Sequence, residues 1–217
     1  MFWDKVAFAY DFFENTYNGK VYANTGKTVA EQIDGNDEVL ECACGTGAIS
    51  VYVAPKCKHL TATDFSPKML KQTAKKLRKF NNVEIKPLDM TKIDYPDNSF
   101  DKVVAGNVIH LLENPVAAIS ELMRVCKPGG KVIIPTYINI YSDGKENVFV
   151  KIFEKAGANF KKQFDIESYK AFFKNAGYKN AEYHLVEGKM PCAVAVITKN
   201  VSHFASKTIF APKFLKL

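Results

Sequence analysis

The chain has 217 residues, which is short for two well-grown domains, and 47% apolar and 24% charged side chains, enough for one core and too apolar for overall disorder. Its formal charge of +7 raises nucleic acid or an anionic membrane as partners. Of the 30 basic residues only Arg78 and Arg124 are arginines, and base and phosphate recognition leans on the arginine fork, so the charge points only weakly to nucleic acid.

Residues 1–10 (MFWDKVAFAY) carry Asp4 and lack the apolar run of a secretory signal, and no window reads as a membrane span. Helices are predicted over 4–17, rich in aromatics, and over 27–34. After a polar Asp34-Gly35-Asn36-Asp37 turn, 38–42 reads as a buried strand. Gly45-Thr46-Gly47 then turns the chain into a helix over 48–54. Residues 59–63 form a second strand. Ser66-Pro67 opens a helix running to about Phe80, with serine as cap and proline at the first helical position. Strands follow at 83–86 and 102–106, a helix begins at Asn114-Pro115 and ends at Lys127-Pro128-Gly129-Gly130, and a fifth strand spans 131–136. Beyond helices near 146–157 and 166–176, two strand-like runs, 178–186 and 192–198, are separated by only Glu187-Gly188-Lys189-Met190-Pro191. A linker this short forces a hairpin. The pattern predicts an α/β, Rossmann-like, doubly wound sheet of seven strands, mostly parallel, with one reversed strand. We divide a single domain into an N-terminal helical cap (1–34), a cofactor-binding core (35–136), a substrate-side insertion (137–177), the hairpin (178–198) and a basic tail (199–217).

In such sheets ligands bind beyond the carboxyl ends of the strands. Small residues at Ala43, Gly45 and Gly47 let a ligand approach the backbone. Asp64 ends the second strand, where a carboxylate can accept both hydroxyls of a ribose. The alternative reading is a tight turn followed by an aspartate that caps a helix. An adenosine-containing ligand fits the combination, and the glycine turn alone does not separate a nicotinamide dinucleotide from S-adenosylmethionine.

Val39-Leu40-Glu41-Cys42-Ala43-Cys44-Gly45-Thr46-Gly47 resembles the first motif of class I S-adenosylmethionine-dependent methyltransferases, and Thr63-Asp64-Phe65-Ser66-Pro67-Lys68-Met69-Leu70 resembles their second. Asp89-Met90, the run 95–101, Asn107-Val108-Ile109-His110-Leu111-Leu112 and Val125-Cys126-Lys127-Pro128-Gly129-Gly130 match later landmarks in order, over roughly 35–136. The resemblance implies a small-molecule methyltransferase of the type 11-like group using S-adenosyl-L-methionine. Glu41, Ala43, Cys44, Gly45 and Gly47 would hold the methionine end. Asp64 would take the ribose, and Phe65, Met69, Asp89 and Met90 the adenine. Asn107 and Val108 would border the sulfonium. Ala43 stands where a glycine is usual, which is tolerable if its φ is negative, and Glu41 where an aspartate is more frequent.

Methyl transfer from a sulfonium is an in-line displacement and needs a positioned nucleophile more than covalent catalysis. His110 is the candidate base if the acceptor must lose a proton, with a packing histidine as the alternative. Tyr10, Tyr17, Tyr22 and Tyr137, with His110, are the candidate acceptor contacts. The N-terminal aromatics read equally as an amphipathic helix burying one face. The five cysteines are irregularly spaced and suit reduced thiols in a cytoplasmic protein, and no metal site is expected. The expected partner is a small-molecule acceptor, lipid-like acceptors included, with no nucleic acid. The lysine-bearing tail either touches an anionic surface weakly, packs or is solvated. A nucleic-acid or protein methyltransferase and a cofactor-binding protein without an acceptor remain alternatives, as does an oxidoreductase, which the hairpin disfavours.

Overall fold

The computed structural model describes residues 2–139 and 161–201, apart from the side chains of 2, 5, 6, 8–15 and 17. The predicted helix over 146–157 and the tail beyond 201 lie outside them. Seven strands form one sheet: β1 (Glu38–Cys42), β2 (His59–Asp64), β3 (Val83–Pro87), β4 (Phe100–Ala105), β5 (Cys126–Tyr137), β6 (Glu182–Val186) and β7 (Cys192–Thr198). Their order is β3-β2-β1-β4-β5-β7-β6. All neighbours from β3 to β5 are parallel, and β7 runs antiparallel to both β5 and β6. The hairpin therefore supplies the single reversed strand expected from its short linker.

Alternation along the central strands builds two cores. Val103, Ala105, Val132 and Ile134 face α4 (Pro115–Val125) and α5 (Ile166–Asn175), which bury Ile119, Leu122, Tyr169 and Phe173 against them. Val104 and Ile133 point the other way, toward Val21 and Val29 of α1 (Phe2–Ala30), Val53 of α2 (Ser50–Val53) and Leu77 of α3 (Pro67–Leu77). Ser66 caps α3, its hydroxyl accepting from the Met69 amide at 3.2 Å, with Pro67 at the first helical position as expected.

Three expectations are corrected. The helices predicted over 4–17 and 27–34 are one helix, α1, kinked at Asn18 (φ −135°, ψ 24°). The kink is held from outside: the buried Asn18 amide donates to the Met190 carbonyl at 2.7 Å and accepts from its N–H at 3.4 Å. The helix predicted over 48–54 shortens to Ser50–Val53. Strand β5 begins at Cys126, so Lys127-Pro128-Gly129-Gly130 opens the strand as well as ending α4. The register shifts there between Phe100 and Lys102, and a Cβ at Gly130 would lie 2.5 Å from the Asp101 carbonyl.

At the amino ends of the strands the charges are paired. Lys102 lies 2.8 Å from Asp37 and 3.3 Å from Asp34, and Lys127 lies 2.9 Å from Asp101, whose other oxygen accepts from the Glu38 amide. Lys199 donates to the carbonyls of Cys126 (2.7 Å) and Arg124 (3.3 Å), closing the carboxyl end of α4.

Candidate active site

Beyond the carboxyl ends of β1, β2 and β4, where the strand order reverses, opens a cleft of about 400 Å³. The turn after β1 forms its floor, clamped from several sides. The Cys44 amide donates to the Thr63 carbonyl at 2.9 Å, the Thr63 hydroxyl to the Glu41 carbonyl at 2.9 Å, and the Thr73 hydroxyl to the Gly45 carbonyl at 2.7 Å. Asp64 ties the turn to the next strand. One of its oxygens accepts from the Gly45 amide at 2.9 Å and the other from the Ser66 amide at 2.8 Å. Both proposed readings of Asp64 thus meet in one side chain: it braces the turn and the start of α3, and it also lines the cleft.

Glu41, Ala43, Cys44, Gly45, Asp64, Phe65, Met69, Asp89, Met90, Asn107 and Val108 all line this cleft, as do Tyr22 and Tyr137. Gly47 does not. Its φ is +82° and its α-carbon faces α3, where a Cβ would lie 3.1 Å from the Thr73 side chain, so glycine here serves close packing. Ala43 has φ +52°, against the negative φ its tolerance required. The turn therefore carries about 1–2 kcal/mol of left-handed strain. Asn107 also has positive φ, a conformation its side chain type tolerates. It links β4 to β5, donating from its amide to the Pro135 carbonyl and accepting through Oδ1 from the Tyr137 amide at 3.0 Å.

His110 departs from expectation. It sits in a short 3₁₀ turn (Ile109–Leu111), is 8% exposed and is not among the residues lining the cleft. Burial pushes its pKa down to about 4, which favours the neutral imidazole, and the side chain is buried outside the described cleft lining. Tyr10 and Tyr17 lie outside the described side chains. Residues the sequence did not single out also line the cleft: Trp3, Thr25, Ser66, Leu88, Leu111 and Leu112. Ser66 and Leu88 adjoin recognised positions, while Thr25 sits in no motif and reaches the cleft only because α1 is continuous.

Two buried polar atoms in the cleft wall have no hydrogen-bond partner among the described residues: Glu41 Oε2 and Thr25 Oγ1. Glu41 is 1% exposed, and desolvation, reinforced by the nearby Asp64 charge and opposed by Ser50, pushes its pKa up to about 8. Desolvation likewise raises Asp64 despite its two amide donors. Among the described lining residues are three carboxylates, Glu41, Asp64 and Asp89, and no lysine or arginine. A pyrophosphate-bearing dinucleotide would meet like charge here. A ligand with an ammonium and a sulfonium would meet opposite charge, and an amine can donate to the orphaned Glu41 oxygen.

The sequence profile of a methyltransferase domain family matches residues 40–134. A demethylmenaquinone methyltransferase of Staphylococcus carnosus is 30% identical over 174 residues, covering 70% of this chain and 71% of that protein. The chain belongs to the class I S-adenosylmethionine-dependent methyltransferases. A phosphatidylethanolamine N-methyltransferase of Cereibacter sphaeroides is 32% identical over 120 residues, 54% of this chain and 59% of that one. The fold is shared with Haemonchus contortus phosphoethanolamine N-methyltransferase 2, solved with phosphomonomethylethanolamine and S-adenosylhomocysteine (TM-score 0.70, 16% identity, 91% of this chain and 58% of that one). This methyltransferase takes S-adenosylmethionine as cofactor and acts on a small-molecule acceptor. No helix among its described residues is long and apolar enough to cross a membrane.

Proposed function

We propose that the acceptor has an apolar, lipid-like body, of the quinone-precursor or phospholipid class, and that the cleft divides into an acidic cofactor half and an apolar acceptor half. The observation carrying this is the composition of the lining. Glu41, Asp64 and Asp89 gather on the side of β1–β3, while Tyr22, Val108, Leu111, Leu112 and Tyr137 supply the wall from α1 and the segments after β4 and β5 without a charged side chain. The chemistry of the relatives, one acting on demethylmenaquinone and one on phosphatidylethanolamine, supports the same class.

In this reading Glu41 holds the ammonium, Asp64 takes the ribose hydroxyls through lone pairs its two amide donors leave free, and Phe65, Met69 and Met90 pack on the adenine while Asp89 accepts from its amino group. Asn107 and Val108 border the sulfonium. The bound cofactor supplies an electrophilic methyl. The protein's task is to hold an acceptor atom in line with it at roughly 3–3.5 Å and to keep water out. No imidazole lines the described cleft, which favours acceptors that are nucleophilic or acidic by themselves, such as an activated ring carbon or an amine. The five free, buried cysteines and the acidic cleft fit a cytoplasmic enzyme with no nucleic-acid substrate.

Two measurements test the reading. Calorimetry should show S-adenosylhomocysteine binding with no binding of NADH, and the reverse would end it. S-adenosylhomocysteine formation should rise with quinone-precursor or phospholipid acceptors presented in detergent. Formation only with water-soluble, highly polar acceptors would refute the apolar acceptor half.

A further inference from the structure

The charge of this chain is not spread evenly. From Phe65 to Val83 there is no acidic residue and there are six basic ones. Lys68, Lys71, Lys75, Arg78 and Lys79 are exposed, and at about 100° per residue they fall within an arc of about 100° on α3 and its end, opposite the buried Met69, Thr73 and Leu77. Lys71, Lys75, Arg78 and Lys79 form no ion pair among the described residues. Lys75 Nζ meets only the neutral Gln72 at 3.3 Å, and Lys79 Nζ lies 5.0 Å from the Phe80 ring. Nearby acids are engaged: Glu84 lies 3.5 Å from Lys86 on the edge strand β3, and Asp4 accepts from the Ser66 hydroxyl at 2.6 Å.

The stripe ends at the cleft. Phe65, just before the Ser66 cap of the helix, is 58% exposed and also lines the cleft, as does Trp3, and Ser66 donates to Asp4, the residue after Trp3. A row of basic side chains without ion pairs among the described residues, led by one exposed aromatic at the cleft, suits a surface that is anionic outside and apolar just beneath. A nucleic acid fits less well, because the face is a single straight helix carrying one arginine and no stacked aromatic row.

We infer that the outer face of α3, with Phe65 at its head, rests on an anionic lipid bilayer and turns the cleft mouth toward an acceptor held there. The inference rests on the lipid-like acceptor proposed above and adds the surface by which the enzyme reaches it.

The test is flotation of the full chain with vesicles of phosphatidylcholine alone and of an equal mixture with phosphatidylglycerol, at low and high salt. The wild type should float with the anionic vesicles only and lose them as salt rises. The triple variant Lys71→Gln, Lys75→Gln, Lys79→Gln, which keeps the tail beyond 199 intact, should bind them about a hundredfold more weakly, about fivefold for each charge removed. Its affinity for S-adenosylhomocysteine should be unchanged, since none of the three lines the cleft. Equal flotation of variant and wild type would overturn the inference. So would equal binding to neutral vesicles, or binding of an RNA hairpin in place of vesicles with the same sensitivity to the three lysines. S-adenosylhomocysteine formation with detergent-dispersed acceptors separates the two readings. Lipid methylation without vesicle binding removes the surface and leaves the acceptor class, whereas α3-dependent vesicle binding with only polar acceptors methylated keeps the surface and removes the acceptor class.

Discussion

At the amino ends of the strands, Lys102 is enclosed by Asp34 and Asp37, Lys127 meets Asp101, and Lys199 closes three acceptors. At the carboxyl-end cleft, Glu41 Oε2 and Thr25 Oγ1 are buried with no hydrogen-bond partner among the described residues, and three carboxylates share a described lining that holds no basic side chain. Both ends bury charge, yet only one neutralises it within the chain. An unsatisfied buried polar group costs about 1–3 kcal/mol, so the cleft is held in a state that a ligand stabilises, while the other end contributes only to folding.

The largest effect should come from the paired end. Lys102→Ala leaves Asp37 buried without its partner and should lower stability by about 3 kcal/mol in urea denaturation. The affinity of the folded variant for S-adenosylhomocysteine should stay within twofold. A large loss of affinity would show that the two ends are coupled and would undo the comparison.

Next in size is Asp64→Ala at the cleft, where losing charge-assisted hydrogen bonds should weaken S-adenosylhomocysteine binding by about 1.5–3 kcal/mol, read by calorimetry. If affinity moves less than twofold and only stability drops, Asp64 acts solely on the Gly45 and Ser66 amides. Glu41→Gln should act in opposite senses on folding and on binding. The raised folded-state pKa means that Glu41 adds stability below its ordinary 4.5 that is lost as pH rises to about 8, because the native state holds the proton longer than the unfolded chain. Unliganded Glu41→Gln should therefore gain stability over the wild type progressively across that window. An ammonium needs the ionised carboxylate, so wild-type cofactor affinity should climb through pH 8 and flatten in the variant. Parallel pH profiles would remove Glu41 from the ammonium site.

What the sequence made legible follows from how local each signal is. The turn at 43–47, Asp64 after the second strand and the Ser66-Pro67 cap are decided by neighbours a few residues apart, and the short 187–191 linker dictates the reversed strand. Continuity of α1 was hidden because Asn18-Gly19 and Gly26 look like breaks. Asn18 is held by Met190, and a Cβ at Gly26 would lie 2.3 Å from the Tyr52 ring, so both choices answer to distant partners. Thr25 was missed for the same reason. His110 was misplaced because proximity in sequence to a strand's end does not say which way a 3₁₀ turn points its side chain, and here the turn buries it.

The smallest effect concerns Ala43, where expectation and structure differ in sign. A left-handed alanine costs about 1–2 kcal/mol, and glycine returns about 0.5–1 of that through its greater freedom in the unfolded chain, so Ala43→Gly should stabilise the protein by about 0.5–1 kcal/mol. For a chain of this size that is a rise in Tm of roughly 1–4 °C. The strain persists because the Cys44, Thr63 and Gly45 hydrogen bonds fix the turn on both sides of residue 43. If the turn relaxes when the cofactor binds, the gain should shrink in saturating S-adenosylhomocysteine. An equal gain with and without ligand would mean that the strained turn is part of the bound form as well, and a loss of stability would mean that residue 43 is not left-handed in solution.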